Sequence, residues 1–257
     1  MFEFTPIGYV RNSQSEMYQL PFQVGLLEGM TAVVELEEGS NYETALEDLV
    51  GVDRVWLIFV FHKALNWKPK ITPPRGGQKR SVLATRSPHR PNPIGMSAVK
   101  LLGIDGRKLI IEDHDLLDGT PVLDIKPYLP YVDSYPDAAS GWLDEVPKTE
   151  VHEVHWSSSA AVKSQWLIDN ASLDLNSLVD VSLRLKPYPE KGNRIKDLAQ
   201  GREIAVKTWR LLFTLEGKKV NIINIYSGYT QEYLTGKKQS RWDDVPLHNN
   251  FCKVFKD

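Results

Sequence analysis

Residues Ala84-Thr85-Arg86-Ser87-Pro88-His89-Arg90-Pro91-Asn92-Pro93-Ile94-Gly95-Met96-Ser97 set two guanidinium groups, an imidazole and an amide on a backbone stiffened by three prolines in six positions. Proline fixes φ and pushes the residue before it toward extended geometry, so this stretch cannot be helix interior. Donors held on such a frame need little further ordering when an anionic or planar ligand arrives. A second dense stretch runs from Asp115 to Tyr131, with Asp118-Gly119-Thr120-Pro121 at its centre. These four residues read as a turn that offers a carboxylate, a hydroxyl and backbone groups. It is either an ordinary hairpin turn or part of a site. The stretch Asp124 to Tyr131, with Lys126 and Tyr128, reads as an edge strand or as the lip of a pocket.

Other chemistries lack their residues. There is no Gly-x-x-x-x-Gly-Lys-Ser/Thr, no Gly-x-Gly-x-x-Gly after a strand and no Gly-x-Ser-x-Gly. Phosphate-loop, Rossmann and nucleophile-elbow enzymes are therefore disfavoured, as is a doubly wound methyltransferase. A single cysteine, Cys252, excludes an internal disulfide and a thiolate cage. His152 and His155 lie three apart and could in principle share a metal, but a solvated face is the favoured reading, so no metal is assigned.

Charge is segregated along the chain. Between Lys63 and Lys100 there are nine Lys or Arg residues and no acid, whereas Glu112 to Asp144 holds eight acids against Lys126 alone. Arg75, Lys79, Arg80, Arg90 and Asn92 are candidates for contacts to nucleic-acid phosphates or bases. The other readings are a solvated surface, or pairing of the basic block with the acidic block across a dimer.

These residues need elements to hold them. Phe4 to Arg11 and Thr31 to Leu36 read as strands. Ser40-Asn41-Tyr42-Glu43 reads as a capping box opening a helix to Val50, with Leu46, Leu49 and Val50 on one face. Val55 to Phe61 reads as a strand buried on both sides. Ser81 to Thr85, Ser97 to Ile104 and Arg107 to Glu112 follow as strands, with Asp105-Gly106 marking a tight hairpin. This pattern predicts a mainly β, antiparallel, barrel-centred amino-terminal domain, residues 1–150. A smaller α+β domain is expected over 151–236. It would hold helices at Ser157 to Asp169 and Leu173 to Leu185, with Val162, Trp166 and Ile168 packing, and strands at Trp209 to Leu215 and Val220 to Tyr226. Residues 237–257 read as a tail. The longest apolar run, 55–61, is too short to span a bilayer, and no amino-terminal signal is evident, so a cytoplasmic protein is expected.

The motifs resemble those of one family. Pro6-Ile7-Gly8-Tyr9-Val10-Arg11, Gln23-Val24-Gly25-Leu26, Trp56 to His62, Pro73-Pro74-Arg75-Gly76-Gly77, 84–97 and 115–131 occur in the order found in the TsaA-like (TrmO) tRNA methyltransferases. The resemblance implies a non-Rossmann β-barrel fold, a homodimer, and S-adenosyl-L-methionine bound near the subunit interface. It implies methylation of N6 in N6-threonylcarbamoyladenosine at tRNA position 37, beside the anticodon, where a single-stranded base is splayed out cheaply. It also implies cofactor contacts at Val24, Gly25, Leu26, His62, Lys63, Arg86, Met96, Asp118, Gly119, Thr120 and Pro121. Taken from the residues alone, His62 reads as a core histidine and Met96 equally well as core. Pro187-Tyr188-Pro189 and Asn193-Arg194-Ile195 are similar to the family's second-domain motif, which places Arg194, with Lys126 and Tyr128, among the substrate candidates. No catalytic base is assigned. A non-enzymatic module that binds an adenosyl ligand or tRNA is the alternative.

Overall fold

The structure is a computed structural model that describes residues 3–74, 77–190 and 193–255. The chain divides into two compact units, Met1–Thr149 and Glu150–Asp257.

The first unit contains β1 (Gly8–Arg11), β2 (Thr31–Leu36), α1 (Tyr42–Leu46), β3 (Arg54–Val60), β4 (Lys70–Ile71), β5 (Arg80–Ser81), β6 (Ile94–Asp105), β7 (Lys108–Glu112), β8 (Pro121–Pro127) and the single turn α2 (Pro130–Asp133). Six of the strands close into an antiparallel barrel in the order β1-β2-β7-β6-β3-β8, and β4 pairs with β5 apart from it. Alternate residues of each strand point inward. Val10, Val34, Val55, Leu57, Val99, Leu109, Ile111 and Val122 are fully buried and fill the barrel. Burial of each such side chain stabilises the fold by about 1.5–3 kcal/mol. Gly95 of β6 is a packing requirement: a Cβ there would lie 2.3 Å from the Phe59 ring and 2.9 Å from the Phe61 ring.

Several local expectations are corrected. The first strand begins at Gly8, not Phe4. β3 alternates between buried and half-buried positions, so it is not buried on both sides; Trp56, Ile58 and Val60 lie on its outer face. The capping box does not form. Asn41 sits in the left-handed region at φ 52° and caps without a side-chain bond to the helix backbone. α1 ends at Leu46 and continues as a 3-10 turn over Glu47–Leu49, which leaves Val50 82% exposed. Residues Val82–Ala84 form another 3-10 turn rather than a strand.

The second unit holds β9 (Glu153–Trp156), α3 (Ser158–Ala171), α4 (Leu175–Leu185), β10 (Ile195–Leu198), β11 (Gly201–Val206), β12 (Trp209–Glu216), β13 (Lys219–Ser227), the turn α5 (Gln231–Leu234) and α6 (Val245–Val254). The sheet order is β10-β11-β12-β13-β9, with β9 parallel to β13. Ser157 caps α3 by accepting from Ala160 N at 3.2 Å, and Asp174 caps α4 by accepting from Asn176 N at 3.0 Å. Leu167, Leu175, Val179 and Leu183 of the helices share one core with Leu211, Phe213, Ile222 and Ile225 of the sheet. Of the three α3 residues expected to pack, only Trp166 does; Val162 and Ile168 are exposed. The segment expected to be a tail is also built in. α6 buries His248 and Phe251, and Phe251 packs on Trp209 and Trp166.

Candidate functional site

The barrel's topology gathers the candidate residues at one end. β1 leads out into residues 12–30, β3 into 61–93, and β7 into 113–120. The registers Thr31↔Glu112, Val60↔Ile94 and Gly8↔Val122 place all three connections at the same rim. This rim carries Val24, Gly25 and Leu26 from the first connection, His62, Lys63 and Arg86 from the second, and Asp118, Gly119 and Thr120 from the third. Met96 and Pro121 stand where β6 and β8 begin.

The third connection is tied to the first and to β1. Asn12 N donates to Asp118 Oδ1 at 3.1 Å, Asp118 N to Gln14 O at 2.9 Å, and Gly119 N to Val10 O at 2.8 Å. Thr120 N closes a four-residue turn onto Leu117 O, and Gly119 at its third position takes φ 72°, where glycine carries no Cβ penalty. The first connection bears Gly25 at φ 79°, with open space where a Cβ would stand. It is pinned nearby, since Gly29 N donates to Asp113 Oδ1 at 3.1 Å and Asp113 N to Met30 O at 2.9 Å.

The second connection is the proline-stiffened strip. Thr85 Oγ1 donates to Val82 O at 2.8 Å and accepts from Ser87 N, so both neighbours of Arg86 are fixed. Arg90 Nη1 donates to Thr85 O at 2.7 Å, which braces the loop from within. Arg86 is exposed and makes no hydrogen bond or ion pair among the described residues. Lys63 reaches back to Ser15 O at 2.6 Å and so links the second connection to the first. Burial and the charge of Lys63 hold the His62 imidazole below its ordinary pKa, partly opposed by Asp118. Met96 points outward and is 54% exposed, so it is not a core methionine.

Two rim residues had no assigned role from the sequence. Ser97 is buried, and its Oγ donates to Asp115 Oδ1 at 2.7 Å. Burial pushes the Asp115 carboxyl up, while Ser97 and the charge of Arg86 pull it down. The available signal was alternation: Gly95, Ser97 and Val99 share the inward face, so a hydroxyl at 97 breaks an otherwise apolar set.

The substrate candidates are dispersed. Arg75 lies outside the described residues. Lys79 and Asn92 are exposed. Arg80 stacks over Trp142 at 5.0 Å, Lys126 pairs with Asp124 at 2.8 Å, and Tyr128 packs against Trp56. Arg194 belongs to the second unit and is exposed. Part of the charge segregation is satisfied within the chain, since Lys100 pairs with Glu112 at 2.8 Å. Among the described residues no cluster of three or more His, Cys, Asp or Glu could hold a metal, and no helix is long and apolar enough to cross a membrane.

A closed antiparallel barrel with cationic and carboxylate groups on the connections at one rim is a strand-rich, non-Rossmann architecture. The family model described as the tRNA-methyltransferase O N-terminal domain matches residues 9–134, which includes every barrel strand bar the first residue of β1. A putative S-adenosylmethionine-dependent methyltransferase RcsF from Pseudomonas aeruginosa is 39% identical over 211 residues, covering 80% of this chain and 89% of the relative. A tRNA (adenine(37)-N6)-methyltransferase from Eikenella corrodens is 41% identical over 172 residues, covering 63% of this chain and 90% of the relative. A crystal structure of TrmO from Pseudomonas aeruginosa superposes with a TM-score of 0.62 at 32% identity, covering 88% of this chain and 99% of that one. The chain belongs to the TrmO family.

Proposed function

We propose that this chain methylates N6 of adenosine 37 in tRNA with S-adenosyl-L-methionine as donor, and that the modified base is N6-threonylcarbamoyladenosine. The observation that carries the reading is the meeting of three barrel connections at one rim, in a family whose relatives bear methyltransferase names. The residues present fit the donor. The Arg86 guanidinium, which has no partner among the described residues, offers a fork of N–H groups suited to a carboxylate, and the turns at Gly25 and Gly119 let backbone approach closely. Val24 to Leu26, His62, Lys63, Met96 and the 118–121 turn would complete the contacts.

When bound, the donor supplies an electrophilic methyl group on a sulfonium whose leaving thioether is neutral. The protein's share is alignment, and holding two reactants in line is worth about 7–11 kcal/mol. The exocyclic nitrogen must also shed a proton, and Asp118, fixed by Asn12 N, is the carboxylate of the turn available to accept it.

Lys79, Arg80, Asn92, Lys126, Tyr128, Arg194 and Arg75 are assigned to tRNA contacts around the anticodon loop, of which Lys79 and Asn92 are the most open, whereas Arg90, bonded to Thr85 O, braces the strip instead. Pairing of two copies is supported by exposed apolar side chains on and near the second connection, Leu65 at 87%, Trp67 at 55% and Leu83 at 72%. A cytoplasmic site of action follows from the tRNA substrate.

The test is direct. The protein is incubated with S-adenosyl-L-methionine and total tRNA, the tRNA is digested to nucleosides, and the threonylcarbamoyl nucleoside is examined for the mass of one added methyl group. Ligand binding without methylation would leave a non-enzymatic binding module in place of the enzyme.

A further inference from the structure

We propose that Asp115 receives the ammonium of the donor's amino-acid end while Arg86 receives its carboxylate, so that the rim recognises a zwitterion with a matched pair of charges. This assignment rests on the methyltransferase reading above and deepens it.

Two observations lead here. Asp115 has one side-chain donor, the Ser97 hydroxyl at 2.7 Å, and no cation within ion-pair distance among the described residues. Among the described residues Arg86 has no hydrogen-bond acceptor or ion-pair partner, although its charge reaches Asp115. Opposite charges that served only each other would close to contact, because a desolvated carboxylate gains most from a directly bonded partner. Here the pair acts through space and stays apart.

Both groups are also anchored. Thr85 and Ser87 are tied on either side of Arg86. Asp115 stands between two fixed neighbours, since Leu116 is buried and its N–H donates to the buried His114 Nδ1 at 3.2 Å. A guanidinium and a carboxylate on fixed supports, near but not bonded, form a complementary seat for an α-amino acid group. Burial raises the Asp115 pKa, consistent with a carboxylate that gains from a cationic ligand. Ser97 holds the carboxylate in orientation from the barrel wall.

Dissecting the ligand tests this. Binding of four compounds is measured by calorimetry on the full chain: S-adenosylmethionine, S-adenosylhomocysteine, decarboxylated S-adenosylmethionine, and methylthioadenosine, which lacks the amino-acid end. Asp115→Asn is expected to weaken the first three by about 10-fold or more, the range for a lost charge-assisted contact, and to leave methylthioadenosine within about twofold. Arg86→Ala should weaken only the two compounds that keep the carboxylate. Equal weakening of all four compounds by Asp115→Asn would make it merely structural, and unchanged binding of all four would remove it from the site; either result overturns the proposal. Ser97→Ala, which leaves the carboxylate in place, serves if Asp115→Asn does not fold. It should show the same ligand pattern at smaller size, about threefold, and a uniform effect would overturn the proposal equally. If the unmodified protein binds none of the four, the cofactor reading itself falls first, which separates that failure from this one.

Discussion

The Trp209 indole and the His248 imidazole lie face to face, ring centroids 3.8 Å apart and planes 15° from parallel. Burial favours the neutral form of His248. Thr208 Oγ1 donates to Asp244 Oδ2 at 2.5 Å and so accepts from His248 Nε2 at 3.0 Å, while Ser227 Oγ donates to Nδ1 at 2.7 Å. With Nε2 as the donor, the neutral ring leaves Nδ1 as an acceptor for the Ser227 hydroxyl. Burial lowers the His248 pKa to about 4, against the partial opposition of Asp244.

A pH dependence of stability follows. The folded state resists protonation that the unfolded chain accepts below about 6.5, so the stability is fully present above that value and declines as pH falls toward 4. The loss approaches about 3 kcal/mol at the acid end. Urea unfolding of the second unit at pH 7.5 and pH 5 should show this. The gap should shrink in a Ser227→Ala variant, which frees Nδ1; an equal gap would remove His248 as its source.

Asp118 has two separable roles. Asp118→Ala deletes the acceptor for Asn12 N and should cost about 1 kcal/mol in urea unfolding. Asp118→Asn keeps an Oδ1 in place and should restore most of that stability. Methyl transfer should nevertheless stay low in the Asn variant if the carboxylate takes the proton. Full activity in the Asn variant would restrict the residue to shaping the turn.

Arg90 and Lys79 should part company in tRNA binding. Lys79 is exposed, so Lys79→Ala should lower the slope of log affinity against log salt by about 0.7–0.9. Arg90 is bonded to Thr85 O, so Arg90→Ala should loosen the strip and weaken cofactor binding with little change of slope. The reverse pattern would reassign the phosphate contacts.

Gly95→Ala places a methyl group 2.3 Å from the Phe59 ring. Overpacking of this kind costs about 1–3 kcal/mol. A thermal unfolding midpoint equal to that of the unmodified chain would mean that the Phe59 and Phe61 rings can move aside.

The barrel was legible because its strands alternate and because Asp105-Gly106 announces the β6–β7 hairpin, which the register Asp105↔Lys108 realises. The rim was legible as motifs, the strip 84–97 and the turn 118–121, whose stiffness and polarity are local properties. What escaped depended on distant partners. Ser97 and Asp115 are separated by 18 positions and meet only when β6 and the β7–β8 connection share a rim. The Ser40–Glu43 pattern was satisfied locally, yet Asn41 took a left-handed turn and Thr44 Oγ1 donated to its Oδ1 instead. α6 read as a tail because its burial is set by Trp209 and Trp166, far earlier in the chain. The strands β10 and β11 mix charged residues into short segments, so alternation alone did not reveal them.

β9 pairs only with Lys219–Ile222 of β13, so the ladder on that side ends before the strand does. Two side chains stand at the stretch left over: Ser157 Oγ donates to Ile223 O, and the buried ammonium of Lys163 donates to Asn224 Oδ1 at 2.8 Å. An intruding strand from another molecule would have to displace a cation lodged beside the Phe251 and Phe255 rings. Ser157 and Lys163 thus occupy the stretch of β13 that β9 leaves without a ladder, and an apolar residue at 163 would leave Asn224 Oδ1 without that donor.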